Sequence, residues 1–206
     1  MKKNVKVKDV FEKYINGSYK LQTKVGEVYF INPEDYFKSY LGYYNSLDYE
    51  TLLFHAVFGY FTYKGKKYRH PLQELRINYF GNEVGIKLEI CERMLNVLLK
   101  DKFNINTFNS FDSLHKYLLE NKVYGFGPLA IYDLALRLSY TKNMLPSNIY
   151  IHGGTGKGYK SLCHSLNIVP ESDGIISVKS LPVELQKIQP FILEDFFCVC
   201  KNNLKF

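Results

Sequence analysis

The chain has 206 residues, 46% of them hydrophobic and 23% charged, with a net charge of +7 and a pI near 9.0. That length suits one domain with a packed core, and the balance of apolar and charged residues excludes an intrinsically disordered chain. No run approaches the roughly 18 apolar residues of a membrane span, and the lysines of "MKKNVKVKDVF" have no apolar stretch behind them, so a cytoplasmic protein with reduced thiols and no membrane partner is expected. The basic charge suits nucleic acid. A Lys-, Asn-, Ile- and Tyr-rich composition produces the same total without a partner, so clustering carries more weight than the sum.

In chain order, Val7, Val10, Phe11 and Tyr14 have helical spacing and predict a helix over 7–16 that ends near Gly17. "YKLQTKVGEVYFI" alternates around a central Gly and reads as a small β-hairpin near the N-terminus. Asn32 followed by Pro33 is a helix start. "SLDYETLLFHAVFGYF" is a helix with Ser46 or Asp48 as its cap and Leu52, Leu53, Ala56, Val57 and Tyr60 on one face. "YKGKKYRHP" then reads as a basic loop. A helix is expected over "EVGIKLEICERMLNVLLK", with Ile86, Ile90, Met94, Val97 and Leu98 on its apolar side. "NSFDSLHKYLLENK" is a further helix, capped by Ser110 or Asp112. "VYGFGP" breaks it, and Pro128 opens a helix that is apolar over most of its circumference and therefore central. "HGGTGKG" reads as a Gly-rich turn onto a helix beginning near Tyr159. A loop containing Pro170 and Ser172-Asp173-Gly174 follows. The last helix carries Ile192, Leu193, Phe196, Phe197 and Cys200 as a stripe. The whole reads as mainly α: a compact single helical domain over 1–206, with an N-terminal helical part (1–110) and a second part (111–206).

Two glycine-rich stretches bear on function. In "NIYIHGGTGKGYKSL" a phosphate loop built on Lys157 would need a Gly at Ile151 and a hydroxyl residue at Gly158, so Walker-type ATP hydrolysis is not expected. Gly154-x-Gly156-x-Gly158 is one residue short of a dinucleotide fingerprint. A turn feeding a helix N-terminus still presents free amides to an anion, and Lys157 and Lys160 add charge. Such a turn serves equally as a tight corner. Upstream, "LLENKVYGFGPLAIYDLALRL" places Gly125, Phe126, Gly127 and Pro128 between two helices, at the unpaired positive end of a helix. The residues from 134 to 170 contain Arg137, Lys142, Lys157 and Lys160 and no Asp or Glu.

The Gly125–Pro128 stretch resembles the helix-hairpin-helix motif of the DNA glycosylase superfamily over about 118–152. The resemblance implies that the amides of Gly125 and Gly127 and the helix that follows grip a DNA phosphate. It also implies a catalytic Asp near His152, where this chain has none. Asp133 falls too early, and its spacing suits either a pair with Arg137 one turn on or the orienting of a loop. An imidazole does not replace an anion facing an oxocarbenium-like centre, so base excision is not expected. The C-terminal half more loosely resembles an uncharacterised group of bacterial proteins sharing "GP…YD.A.R" and "YIH.GT", which implies no activity.

The leading expectation is a non-catalytic protein that binds a nucleic-acid backbone through Gly125, Gly127, Gly154, Gly156, Lys157 and Lys160, with Arg137 and Lys142 adding attraction. A second reading is an enzyme or binding protein for a small phosphorylated or anionic ligand, with His152 as acid/base. A third is a scaffold for protein contacts. The five His and four Cys show no metal-ligand spacing, so neither a metal nor a cofactor is expected.

Overall fold

The structure, a computed structural model, describes residues 2–78, 80–170 and 174–205, with side chains from residue 6 onward. Ser172 and Asp173 of the expected loop lie outside the described residues. The chain runs α1 (Lys2–Asn16), a hairpin of β1 (Tyr19–Thr23) and β2 (Gly26–Phe30), α2 (Pro33–Tyr44) and α3 (Tyr49–Phe58). Hairpins of β3 (Tyr60–Tyr63) with β4 (Lys66–Arg69) and of β5 (Arg76–Ile77) with β6 (Glu83–Val84) precede α4 (Leu88–Lys100). Then come α5 (Phe111–Glu120), α6 (Pro128–Tyr140), β7 (Ile149–Tyr150), α7 (Gly153–Leu166), β8 (Ile175–Ile176) and α8 (Pro190–Val199). About half of the chain is helical, as the apolar periodicity requires, but among the described residues the strands pair two by two into four small sheets. The fold is thus mixed rather than all-helical.

Caps resolve the open choices. Asp48, not Ser46, accepts from the Thr51 amide at 2.9 Å and starts α3. Ser110, not Asp112, accepts from Ser113 at 3.2 Å and starts α5. The expected basic loop is instead a hairpin turn at Lys64 and Gly65 running into β4: Tyr60 faces Arg69 and Tyr63 faces Lys66. The helix expected from Glu83 begins at Leu88, because Glu83 and Val84 pair with Ile77 and Arg76.

The described residues fall into two compact units. One gathers those of 1–19, 30–36 and 146–206, the other those of 20–29 and 37–145. In the second unit α6 is the central helix, packed on α3 and α5, and residues 134–139 are all buried. In the first unit α7 lies along α8, with α1 against α7. Phe11 and Tyr14 of α1 meet Phe196 at ring-centroid distances of 5.2 and 5.3 Å. β7 and β8 form an antiparallel pair, Ile149 opposite Ile176. Among the described residues no helix is long and apolar enough to cross a membrane.

Candidate functional site

The hairpin between α5 and α6 lies in the second unit. α5 ends at Glu120 with Asn121 as its C-cap, and Gly127 stands as the N-cap of α6 with Pro128 at its first turn. Gly125 has φ +90°, which a residue with a side chain rarely adopts. A Cβ there would also lie 2.6 Å from Ile90 Cδ1 of α4, so the turn runs close over that helix. Phe126 points inward and is 1% exposed; burying it anchors the hairpin by about 1.5–3 kcal/mol. The flanking Gly125, Gly127 and Pro128 are exposed, and Tyr124 is 93% exposed. The Phe126 amide donates to Val123 O at 3.1 Å and the Ile131 amide to Gly127 O at 3.0 Å. The Gly125 and Gly127 amides have no partner among the described residues. Two unsatisfied donors therefore border the positive end of a helix of 13 residues.

Two cations flank this corner. Lys122 is exposed beside it, and Arg93 of α4 donates from Nη2 to Tyr124 O at 3.3 Å. Sequence reasoning did not single out either. Lys122 was legible from its place in the hairpin, whereas Arg93 arrives from a helix some thirty residues upstream and has no local signal.

Lys142 and Arg137 do not join the hairpin. Lys142 is exposed just past the other end of α6, roughly 20 Å from Gly127 at 1.5 Å per residue. There a cation complements the negative helix terminus. Arg137 is 1% exposed and points into the core. Its Nε donates to Tyr40 Oη, its Nη1 to Ala56 O at 2.9 Å and its Nη2 to Asp133 Oδ2 at 3.4 Å. Burial opposes its charge, but the Tyr40, Tyr44 and Asp133 oxygens outweigh that and hold its pKa above the ordinary value. The Asp133–Arg137 pair one turn apart is present, inside the unit rather than on its surface.

The "HGGTGKG" stretch belongs to the first unit and is not a turn. His152 is the N-cap of α7, and Gly153 through Gly158 are already helical. The Gly156 amide donates to His152 O at 2.8 Å, so it serves the helix rather than an outside anion. Two of the glycines answer to packing. A Cβ on Gly154 would stand 2.3 Å from Cys198 Sγ, and one on Gly158 2.0 Å from Phe197 O. The absence of side chains at these i, i+4 positions lets α7 press its backbone onto α8. The first turn of α7 also meets a carboxylate of the chain itself: Thr155 Oγ1 donates to Glu194 Oε1. Beside it Asp195 accepts from Tyr14 Oη at 2.7 Å and Tyr19 Oη at 2.9 Å, so neither acid is a solvated surface charge. Burial and then Asp195 push both phenol pKa values well up. Lys157 and Lys160 are exposed on the outer face of α7. His152, half-buried, contributes its carbonyl to the helix start.

The residues expected to act together therefore fall into two sets. Gly125 and Gly127 are in the second unit; Gly154, Gly156, Lys157 and Lys160 are in the first. Among the described residues no three His, Cys, Asp or Glu side chains gather as a metal would need. Comparison with protein-family models, with curated proteins and with solved structures finds no match.

Proposed function

We propose that the protein binds the phosphate backbone of nucleic acid, without base excision, through the hairpin at residues 121–127. The observation that carries this reading is the corner itself. A buried Phe126 fixes two exposed glycines whose amides have no partner among the described residues, at the start of a helix of 13 residues. Such amides satisfy a phosphate oxygen and carry no sequence information. Arg93 and the exposed Lys122 supply positive charge beside the corner, and the stretch 134–170, where the resemblance implies an excision Asp, contains no Asp or Glu.

Fluorescence anisotropy with a labelled duplex or single strand at low salt tests the reading. Two neutralised phosphates give a log–log salt slope of about −2. Gly127→Asp is the discriminating variant. Gly127 has φ −73° with open space around its Cβ position. Asp is a favoured N-cap, so the helix keeps or slightly gains stability while a carboxylate meets the incoming phosphate. Binding should fall at least about tenfold with the melting temperature unchanged or raised, a loss of about 1.4 kcal/mol. Equal binding by Gly127→Asp and the parent protein would sink the proposal.

A further inference from the structure

We propose that a pocket between α3 and the end of α4 binds a monocarboxylate with an apolar tail, of the medium-chain fatty-acid class. The pocket encloses about 530 Å³, within the roughly 300–1,000 Å³ usual for small-molecule sites. α3 contributes Tyr49 and Leu53, one helical turn apart, and α4 contributes Leu98 and Leu99 from its last turn. The chain then makes a Schellman turn: the Lys102 amide donates to Leu99 O at 3.2 Å and the Phe103 amide to Leu98 O at 2.9 Å. That turn puts Phe103 in the same lining as Leu98. Tyr49 Oη donates to Phe103 O, which ties α3 to the turn, and Phe103 stacks on Phe108 and on Tyr117 with ring centroids 5.7 Å apart in each case. Leu53, Leu98 and Phe103 are 6% exposed or less and form a base anchored in the core. Tyr49 and Leu99, by contrast, are 43% and 54% exposed and offer apolar surface that a ligand would take out of water.

The polar groups at the exposed edge narrow the ligand class. Lys102 takes the left-handed position of the turn, at φ +49°, where glycine fits at lower steric cost. Its exposed ammonium makes no ion pair and no hydrogen bond among the described residues. Asn104 uses its Oδ1 to accept from the Asn106 amide at 3.0 Å. Its Nδ2, the donor end, has no partner among the described residues. The edge thus offers one cation and one amide donor, and the remaining lining is apolar apart from Asn106. A carboxylate carries one charge on two acceptor oxygens, which suits one ammonium and one amide, and an alkyl chain suits the leucines and Phe103. A phosphate dianion would leave charge and acceptors unmatched, whereas a neutral alcohol would leave the ammonium without a counter-charge. The pocket shares no residue with the hairpin at 121–127, so this proposal and the nucleic-acid reading stand or fall separately.

Isothermal titration calorimetry of the full chain with octanoate, at near-neutral pH and low salt, tests it. Saturable one-to-one binding is expected. Acetate, which lacks the tail, and 1-octanol, which lacks the charge, should each bind at least about tenfold more weakly. Lys102→Asn removes the ammonium and keeps a residue that tolerates the left-handed backbone. It should weaken octanoate at least about tenfold and leave 1-octanol unchanged. Leu99→Gln, at an exposed position and of similar helix propensity, should weaken octanoate at least about threefold. Circular dichroism checks the fold of both variants. No saturation by about 10 mM octanoate, equal affinity for 1-octanol, or unchanged octanoate affinity in both variants would each overturn the proposal.

Discussion

Arg137 shows how much one side chain's direction decides. A solvated arginine adds to a positive field, but a buried one must be matched inside the fold, and here a phenol, a carbonyl and a carboxyl match it. Its neighbourhood also sets a proton balance. His70 is 8% exposed, with its ring 5.2 Å from that of Tyr40. Burial first, and then the charges of Arg137 and Arg76, push its pKa from 6.5 down to about 3. The unfolded chain takes up this proton as the pH falls below 6.5, while the folded chain refuses it until about 3. The stability tied to neutral His70 is therefore whole above 6.5 and is lost progressively as the pH drops towards 3. Urea unfolding between pH 7 and 4 should show His70→Gln losing stability less steeply than the parent protein, by up to about 1.4 kcal/mol per pH unit. Parallel curves for the two would remove His70 as the cause.

At the scale of elements, the α7–α8 contact turns a phosphate-loop look-alike into a packing device. Gly154 and Gly158 face Cys198 and the Phe197 carbonyl, and nothing larger fits at either position without movement. Gly153 differs: it is exposed at the first position of α7, with open space where a Cβ would go. Gly158→Ala should therefore destabilise the protein by about 1–3 kcal/mol through overpacking. Gly153→Ala should stabilise it by about 0.5–1 kcal/mol by restricting the unfolded chain. Chemical denaturation of the two variants checks the pair, and a neutral Gly158→Ala would mean that the helices do not approach as closely as described.

At the scale of the molecule, the first unit is assembled from distant segments. Tyr14 and Phe11 come from the start of the chain and pack on Phe196 near its end, and Tyr14 and Tyr19 both donate to Asp195. The core of the second unit, by contrast, is contiguous between 37 and 145 apart from residues 20–29. A fragment of residues 146–206 should lack near-ultraviolet circular dichroism and a cooperative melt, because its apolar α8 face has lost α1. A fragment of residues 37–145 should keep both. Cooperative melting of the 146–206 fragment by itself would show that α1 is dispensable to that core.

The sequence determined what local physics can encode. Apolar periodicity placed α3, α6 and α8, and start and cap residues such as Asp48, Ser110 and Pro128 fixed helix beginnings to within a residue or two. The Gly125-Phe126-Gly127-Pro128 corner was legible for the same reason, since its demands are set by adjacent residues. The hairpins at Tyr60–Arg69 and Arg76–Val84 were not, because short strands gain their stability from pairing rather than from propensity. Only tertiary structure decided that Arg137 points inward, that Arg93 reaches Tyr124 and that Tyr49 reaches Phe103. It also decided that a run of glycines which reads as an open, anion-ready turn is the first turns of a helix pressed against α8. A glycine answers alike to a needed φ and to a close neighbour, and the neighbour, Phe197, lies 39 residues further along the chain.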